Sequence, residues 1–450
     1  MAHFTCSFVF ISFRKRTLNI NTPKPMAGNV NITSKGIQKV LKHYTSRQAI
    51  AEYIWNGFDA GADTIHINYG FNELGNMEHL IITDNGKGID MEKIKAKFNP
   101  FYDSEKSVPF SAPKHTSLMH GKNGIGRLTF FTFAHTARWL TVYEKEDKLC
   151  GGSIQISTNG LNAYQTETLP SNTRTTTGTE VSFQHINISK EEMESVILPF
   201  LVSEFCWFLE LQKKKSYRIF VNGIALDYSE NIEDAEEDLE FFYEKTDTLF
   251  RIKFIQWKKP LHKELSKYYF LNESGEEVYK DYTTLNKKCD EFYHSVFIQS
   301  SFFNDFDFKS TEDQVQADIF GKARSAPEYK FLIKSINEYL KTKRKPYLRI
   351  YATKLMEQYE QEAIFPIYRT DYDKLTKKPW LQRVITALYE AQPRLFSNLN
   401  MEQKKIMLNM ISLILESNRR KDMFSLINGI IELDQEEARL VKISLPQMLV

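Results

Sequence analysis

The sequence predicts an α+β protein in which two mixed helix-and-strand units precede a helical region. Three observations carry this. A helix-forming run ending near Ala60 leads straight into an alternating hairpin between Thr64 and Asp84. A second group of strands follows the long apolar run "EEMESVILPFLVSEFCWFLEL". From residue 311 onward helical periodicity dominates. The expected divisions are a loose arm over 1–25, a first unit over 26–190, a second over 191–310 and a helical region over 311–450.

In the first unit, Ile37 to Ala60 has a helical pattern, with Ser46 as a cap candidate and Gly61 where a C-terminal cap falls. Residues 64–69 alternate Ile65, Ile67 and Tyr69 with polar neighbours, Gly75 marks a turn, and "HLIIT" is a buried-strand run ending at Asp84. Residues 100–126 are rich in Ser, Pro, Lys and Gly and lack periodicity, which is the signature of a long functional loop. "LTFFTFAHTARWLTVYE", "GGSIQIST" and "TGTEVSFQHI" then resume ordered structure, mostly strands. In the second unit, "SYRIFVNGIALDY" reads as a strand and turn, and the acidic stretch Glu230 to Glu244 precedes the strands "LFRIKFIQW", "KYYFLN" and "SVFIQS". The helical pieces beyond are "APEYKFLIKSINEYLKTKRK", "YLRIYATKLMEQYEQEA" and "EQKKIMLNMISLILESNRR".

Composition narrows the function classes. With 59 Lys and Arg against 57 Asp and Glu, the net charge of +2 gives no global reason to wrap a polyanion, so any nucleic-acid contact is local. Cys6, Cys150, Cys206 and Cys289 lack the paired spacing of zinc or redox sites and suit a reducing, cytoplasmic setting. The apolar stretch Ser7 to Phe13 precedes the basic cluster Arg14, Lys15, Arg16, the reverse of a signal peptide, and no window reaches the ~20 apolar residues of a membrane span. Residues 1–25 are either a loose arm or the product of an upstream start, since Met26 opens the compact pattern.

Four motifs carry chemistry. Glu52, Asn56 and Asp59 fall on one face of the first helix, although that helix is otherwise apolar. Glu52 can orient and deprotonate a water attacking a terminal phosphate, and the Asn56 amide oxygen can ligate a magnesium ion, Mg2+. A solvated polar stripe is the competing reading. Asp84, at a strand end, precedes Gly86 and Gly88 in "DNGKG". A carboxylate there accepts from the exocyclic amine of adenine and rejects the guanine carbonyl, unless the segment is an ordinary Asp-Asn-Gly turn. In "HGKNGIGRLTFF", Gly121, Gly124 and Gly126 lead into an apolar helix. Their amides, with Lys122 and Arg127 and the intervening Asn123 and Ile125, suit a phosphate, or else form a hinge without a ligand. This is neither a Walker loop nor a dinucleotide fingerprint, because the following Lys-Ser/Thr and the preceding strand are missing. Gly178-Thr179 enters an alternating strand, where the hydroxyl would join Asp84 at a base.

Taken in order, Glu-x3-Asn-x2-Asp-Ala (52–60), Asp-x-Gly-x-Gly (84–88), Gly-x2-Gly-x-Gly (121–126) and Thr-Gly-Thr (177–179) resemble the ATP-site motifs of the gyrase, heat-shock chaperone, histidine-kinase and MutL superfamily. The resemblance implies a Bergerat-type α/β sandwich with a mixed sheet, closed over ATP by the 100–126 lid. It implies Glu52 as general base, Asn56 as magnesium ligand, Asp84 and Thr179 as adenine contacts, Gly86 and Gly88 as the following turn, and 121–126 as the lid end on the phosphates. It also implies a homodimer closed by ATP, with a lysine from the next unit reaching the terminal phosphate. Lys258, Lys259, Lys287 and Lys288 are the candidates, and none is singled out.

Only some 45 residues precede the first motif helix, and His43 alone does not make a phospho-accepting segment, so a histidine kinase is disfavoured. The DNA-cleaving apparatus of a topoisomerase is not recognisable either. The α+β unit after residue 190 resembles the transducer domain of MutL-type, Morc-type and chaperone members, and "YRIFVNG" with its short turn resembles the first two. The reading that follows is a Morc-like or MutL-like ATP-gated clamp, by analogy acting on DNA in bacterial genome maintenance or anti-phage defence. Basic clusters at Lys213 to Lys215, Lys341 to Lys345 and Arg419 to Lys421 offer phosphate contacts or are solvated faces. A chaperone-like clamp on protein clients is the alternative, and a nucleotide module without turnover is a third reading that Glu52 opposes. The end at "ISLPQMLV", within helical sequence, leaves room for a longer natural protein or a partner.

Overall fold

The computed structural model describes residues 33–99, 125–170, 175–261, 266–285, 292–308, 322–397, 399–417 and 439. It opens with α1 (Ser34–Leu41) and α2 (Ser46–Asp59). Thr45 and Gln48 form a capping box at the start of α2, and Gly61, with φ of 80°, turns the chain out just past its end. Strands β1 (Thr64–Phe71) and β2 (Met77–Asp84) follow as the expected hairpin, then the short α3 (Ile94–Phe98).

"GRLTFFT" forms a 3-10 segment, Gly126–Thr132, and not the expected α-helix. Two threonines account for the tighter winding. Thr129 donates to the Gly126 carbonyl at 2.7 Å and Thr132 to that of Thr129 at 2.9 Å, both three residues back. Strands β3 (Ala134–Lys145), β4 (Lys148–Ser157), β5 (Gln165–Leu169) and β6 (Gly178–Ile186) complete this stretch. The next helical run comprises α4 (Lys190–Glu192), a π turn (Met193–Ile197) and α5 (Leu198–Leu211). Pro199 explains the π turn, because it has no N–H to continue the α-helical ladder and its ring crowds the preceding turn.

The first sheet has the order β5-β4-β3-β6-β2-β1-β7-β8, so it takes in β7 (Arg218–Val221) and β8 (Ile224–Ala225) from beyond residue 190. It is mixed. β7 runs parallel to β1, and the other pairs are antiparallel. Asn222 and Gly223, both at positive φ, make the tight turn between β7 and β8. Buried residues alternate along the strands: Ile65 and Ile67, Leu80 and Ile82, Ala137 and Trp139, Ile154 and Ile156, Val181 and Phe183. They share one core with α2 and α5, which makes a two-layer α/β sandwich.

The second sheet has the order β12-β11-β13-β10-β9, from β9 (Ile232–Tyr243), β10 (Thr248–Trp257), β11 (Lys267–Leu271), β12 (Glu277–Tyr282) and β13 (Tyr293–Gln299). The acidic stretch is itself the edge strand β9, with cations drawn to it from its neighbours. Lys253 reaches Glu237 at 2.8 Å, Arg251 reaches Glu240 at 3.6 Å and Lys343 reaches Asp234 at 2.8 Å. Short strands β14 (Phe306–Asp307) and β15 (Lys322–Ala323) lead to α6 (Pro327–Gln361), α7 (Asp371–Ala391) and α8 (Met401–Glu416). Two of the expected helical pieces are one helix, α6, which runs through Pro346. Its first half (Leu332, Ile336, Leu340) packs on the second sheet, and its second half (Leu348, Ala352, Met356, Tyr359) packs on α7 and α8. Among the described residues no helix is long and apolar enough to cross a membrane.

Helix α5 joins the layers. Phe205 and Phe208 pack on Trp55 of α2 at ring separations of 4.6 and 5.0 Å, while Trp207 stacks on Tyr269 of the second sheet at 5.6 Å. Near its end the Glu210 carboxylate, 4% exposed, accepts from Tyr228 at 2.6 Å, from Lys213 at 3.1 Å and from Lys253. Burial opposes the charge, but these bonds outweigh it and hold the carboxyl below its ordinary range.

His294 is buried in the second sheet between Phe254 and Phe292, with Thr283 at 2.9 Å from Nε2 and the Phe292 carbonyl at 2.9 Å from Nδ1. Burial drives its pKa down to about 4. The folded ring stays neutral while the unfolded one gains a proton below about pH 6.5, so stability falls as pH drops from about 6.5 towards 4. Urea unfolding across that window is expected to lose about 3 kcal/mol from this group, and His294→Asn is expected to flatten the dependence.

Candidate active site

Helix α2 is buried at Ala49, Ile50, Ala51, Tyr53, Ile54, Trp55, Gly57 and Phe58. Glu52, Asn56 and Asp59 are half-buried and form its one polar face. Two elements close on that face. A side chain begun at Gly126 would lie 2.6 Å from Glu52 Oε2, so the backbone leaving residue 125 runs directly over the carboxylate. A side chain begun at Gly57 would lie 3.0 Å from Cβ of Asp84, which sets the end of β2 against the helix one residue past Asn56. Glu52 and Gly57 are about 7 Å apart along the axis at ~1.5 Å per residue. Asn56 lies between these two contacts along the helix.

Asp84 is held firmly. Its Oδ1 accepts from the Gly86 amide at 2.8 Å and the Thr179 amide at 3.2 Å. Register brings Thr179 there, since β6 pairs Thr179 with Asp84 on one side and with Thr141 of β3 on the other. Thr141 and Thr179, both buried, have their hydroxyls 3.2 Å apart, and Thr141 Oγ1 accepts from the Ile89 amide at 2.7 Å. Thr141 was not foreseeable from "WLTVYE", because only strand pairing makes it a neighbour of Thr179. Asn85 also escaped the sequence reading. Its Oδ1 accepts from the amides of Asp63 and Thr64, each at 3.1 Å, and its Nδ2 donates to Asp63 at 2.8 Å. This fastens the turn after β2 to the turn after α2, and the Asn85 bond holds the Asp63 carboxyl below its usual range.

Of the glycine-rich motif, Gly121, Lys122, Asn123 and Gly124 lie outside the described residues, while Ile125 is buried and Gly126 faces Glu52. Arg127, expected next to phosphate, is committed elsewhere. Its Nη2 donates to the Phe98 carbonyl at 2.8 Å and the guanidinium lies over the Phe98 ring at 5.2 Å. Burial lowers its pKa to about 10. Tyr53, raised by burial and therefore protonated, donates to the Arg127 carbonyl at 2.8 Å. Lys258 and Lys259 are exposed, and Lys287 and Lys288 lie outside the described residues. The Lys213 to Lys215 cluster is drawn into contacts with Glu210, Gln299 and Glu276. Arg419 to Lys421 lie outside the described residues.

Helix α2 thus presents Glu52, Asn56 and Asp59 beside a strand-end carboxylate and a glycine turn on a mixed sandwich. Residues 44–190 match the family model described as histidine kinase-, DNA gyrase B-, and HSP90-like ATPase, and this part of the chain is a domain of that superfamily. No curated protein matches the chain. Domains of this class bind ATP, and many of them hydrolyse it.

Gly88 has φ of 72°, and a side chain begun there would meet the Val142 carbonyl oxygen at 2.1 Å. Neither the left-handed backbone nor the rigid strand opposite can yield cheaply. Gly88→Ala is expected to destabilise the fold by about 2–4 kcal/mol, measured by urea unfolding, and to displace the Asp84 turn.

Proposed function

We propose that this protein binds ATP with magnesium in the cleft between α2 and the Asp84 turn, and hydrolyses it to drive a conformational cycle. The observation that carries the reading is the single polar face of an otherwise buried helix, with Gly126 over Glu52 and Asp84 against Gly57. Glu52 accepts the proton of the attacking water. The Asn56 side-chain oxygen is a hard donor of the type magnesium takes, and the ion when bound neutralises phosphate charge. Asp84, its orientation set by Gly86 and Thr179, accepts the adenine amine, and the Thr141 and Thr179 hydroxyls complete the base contacts. The backbone around 121–126 meets the phosphates. Arg127 we read as the anchor of α3 rather than a phosphate ligand.

From the resemblance of "YRIFVNG" and its surroundings to Morc-type and MutL-type transducers we further propose a homodimer that closes on ATP, with DNA as its client. A DNA shift that appears only with a non-hydrolysable analogue and weakens with salt supports this. Suppression of client aggregation without DNA binding would favour the chaperone-like alternative.

Two variants test the chemistry. Glu52→Ala is expected to retain ATP binding, accumulate as a dimer in sedimentation, and lose about 10²–10⁴-fold in turnover. Gly126→Ala places a methyl group against the movable end of Glu52, so it is expected to melt close to wild type while turnover still falls at least about tenfold. Intact, folded protein that fails to bind ATP in calorimetry would sink the proposal.

A further inference from the structure

The first sheet carries a second polar group at the end remote from Asp84. Between the pairs Ala134–Ile186 and Thr136–Gln184, His135 of β3 stands across from His185 of β6. Directly opposed residues project from the same face of a sheet. The two rings are 6.0 Å apart between centroids, with their planes at 80°. Both side chains are exposed, and both line a cavity of about 360 Å³ together with Gln38, Thr158 and Asn187. His185 has φ of 53°, a conformation that few L residues other than Asn, Asp and His adopt.

We propose that His135 and His185 bind a divalent transition-metal ion of the zinc, nickel or copper class. Imidazole nitrogen suits these ions better than magnesium or calcium. At a metal–nitrogen distance of about 2.0–2.1 Å, two rings sharing a tetrahedral ion have centroids about 5.2 Å apart. The observed 6.0 Å is within a modest side-chain rotation of that value, and exposed rings rotate without disturbing the core. Nδ1 of His135 lies 3.4 Å from the Thr136 hydroxyl, and in the tautomer whose Nδ1–H donates there Nε2 is free to bind the ion, as in metal-bound imidazoles whose second nitrogen is hydrogen-bonded.

Among the described residues no third His, Cys, Asp or Glu joins the pair, so water or an incoming ligand completes the coordination. The site is separate from the magnesium position at Asn56, because Thr141, which marks the nucleotide end of β3, is about 20 Å along the strand at ~3.3 Å per residue. A bound ion would tie the start of β3 to the end of β6, immediately after the 3-10 segment that begins at Gly126 over Glu52.

The test is calorimetric titration of the full chain with Zn2+, without ATP or magnesium, alongside His135→Ala and His185→Asn. Asparagine is chosen because it tolerates the left-handed backbone. The expected result is one micromolar site that weakens at least about tenfold in each variant, while melting without metal stays at the wild-type temperature. A variant-independent readout is protection of His135 and His185 from diethyl pyrocarbonate by Zn2+, followed by peptide mass spectrometry. Unchanged affinity in both variants, or no protection in the wild type, overturns the proposal.

Discussion

Everything at the candidate site depends on the burial of α2 around nearly its whole circumference. Eight of its residues are buried, and Trp55 and Phe58 are wedged among Phe205, Phe208 and Tyr217. Each large apolar side chain taken from water contributes roughly 1.5–3 kcal/mol. Turning the helix about its axis would expose part of this set and drive Glu52 or Asn56 into the core without partners, at a cost of several kcal/mol. The polar face is therefore fixed by the apolar ones, and a carboxylate held this way meets a substrate without first being ordered.

The far wall of the cleft is fixed by strand pairing. β2, β6 and β3 bring Asp84, Thr179 and Thr141 level, and one carboxylate oxygen ties the Gly86 turn to the start of β6. Asn85 then staples this turn to the loop after α2.

Helix α5 extends the same solid to the second sheet, with one aromatic face on Trp55 and another on Tyr269. Glu210 secures the junction. A charge so buried is retained because Lys253, Lys213 and Tyr228 meet it together, and removing one partner of such a group typically costs about 3–5 kcal/mol. The polar face of α2 and the second sheet are thus the two sides of one continuous core, and a shift of the helix has no soft layer in which to dissipate.

Much of this was legible in the sequence. Helical spacing put Glu52, Asn56 and Asp59 on one face, alternation gave the β1–β2 hairpin, and the ordered run of four weak motifs named the class of the first domain. What escaped involved partners distant in the chain. The 3-10 winding after Gly126 comes from threonines bonding back to carbonyls, a choice that periodicity does not record. Arg127 turns to Phe98 because a cation near glycines has no sequence mark for its direction. The acidic stretch is a strand because lysines and arginines 11 to 109 residues away neutralise it. The sequence by itself determined the long helices and the β1–β2 hairpin, and which polar groups stand where apolar ones were expected, since these follow from local periodicity. Only the tertiary structure decided that Thr141 meets Thr179, that Gly126 lies over Glu52 and that His135 faces His185, because strand register and helix placement are set by the packing of the whole core.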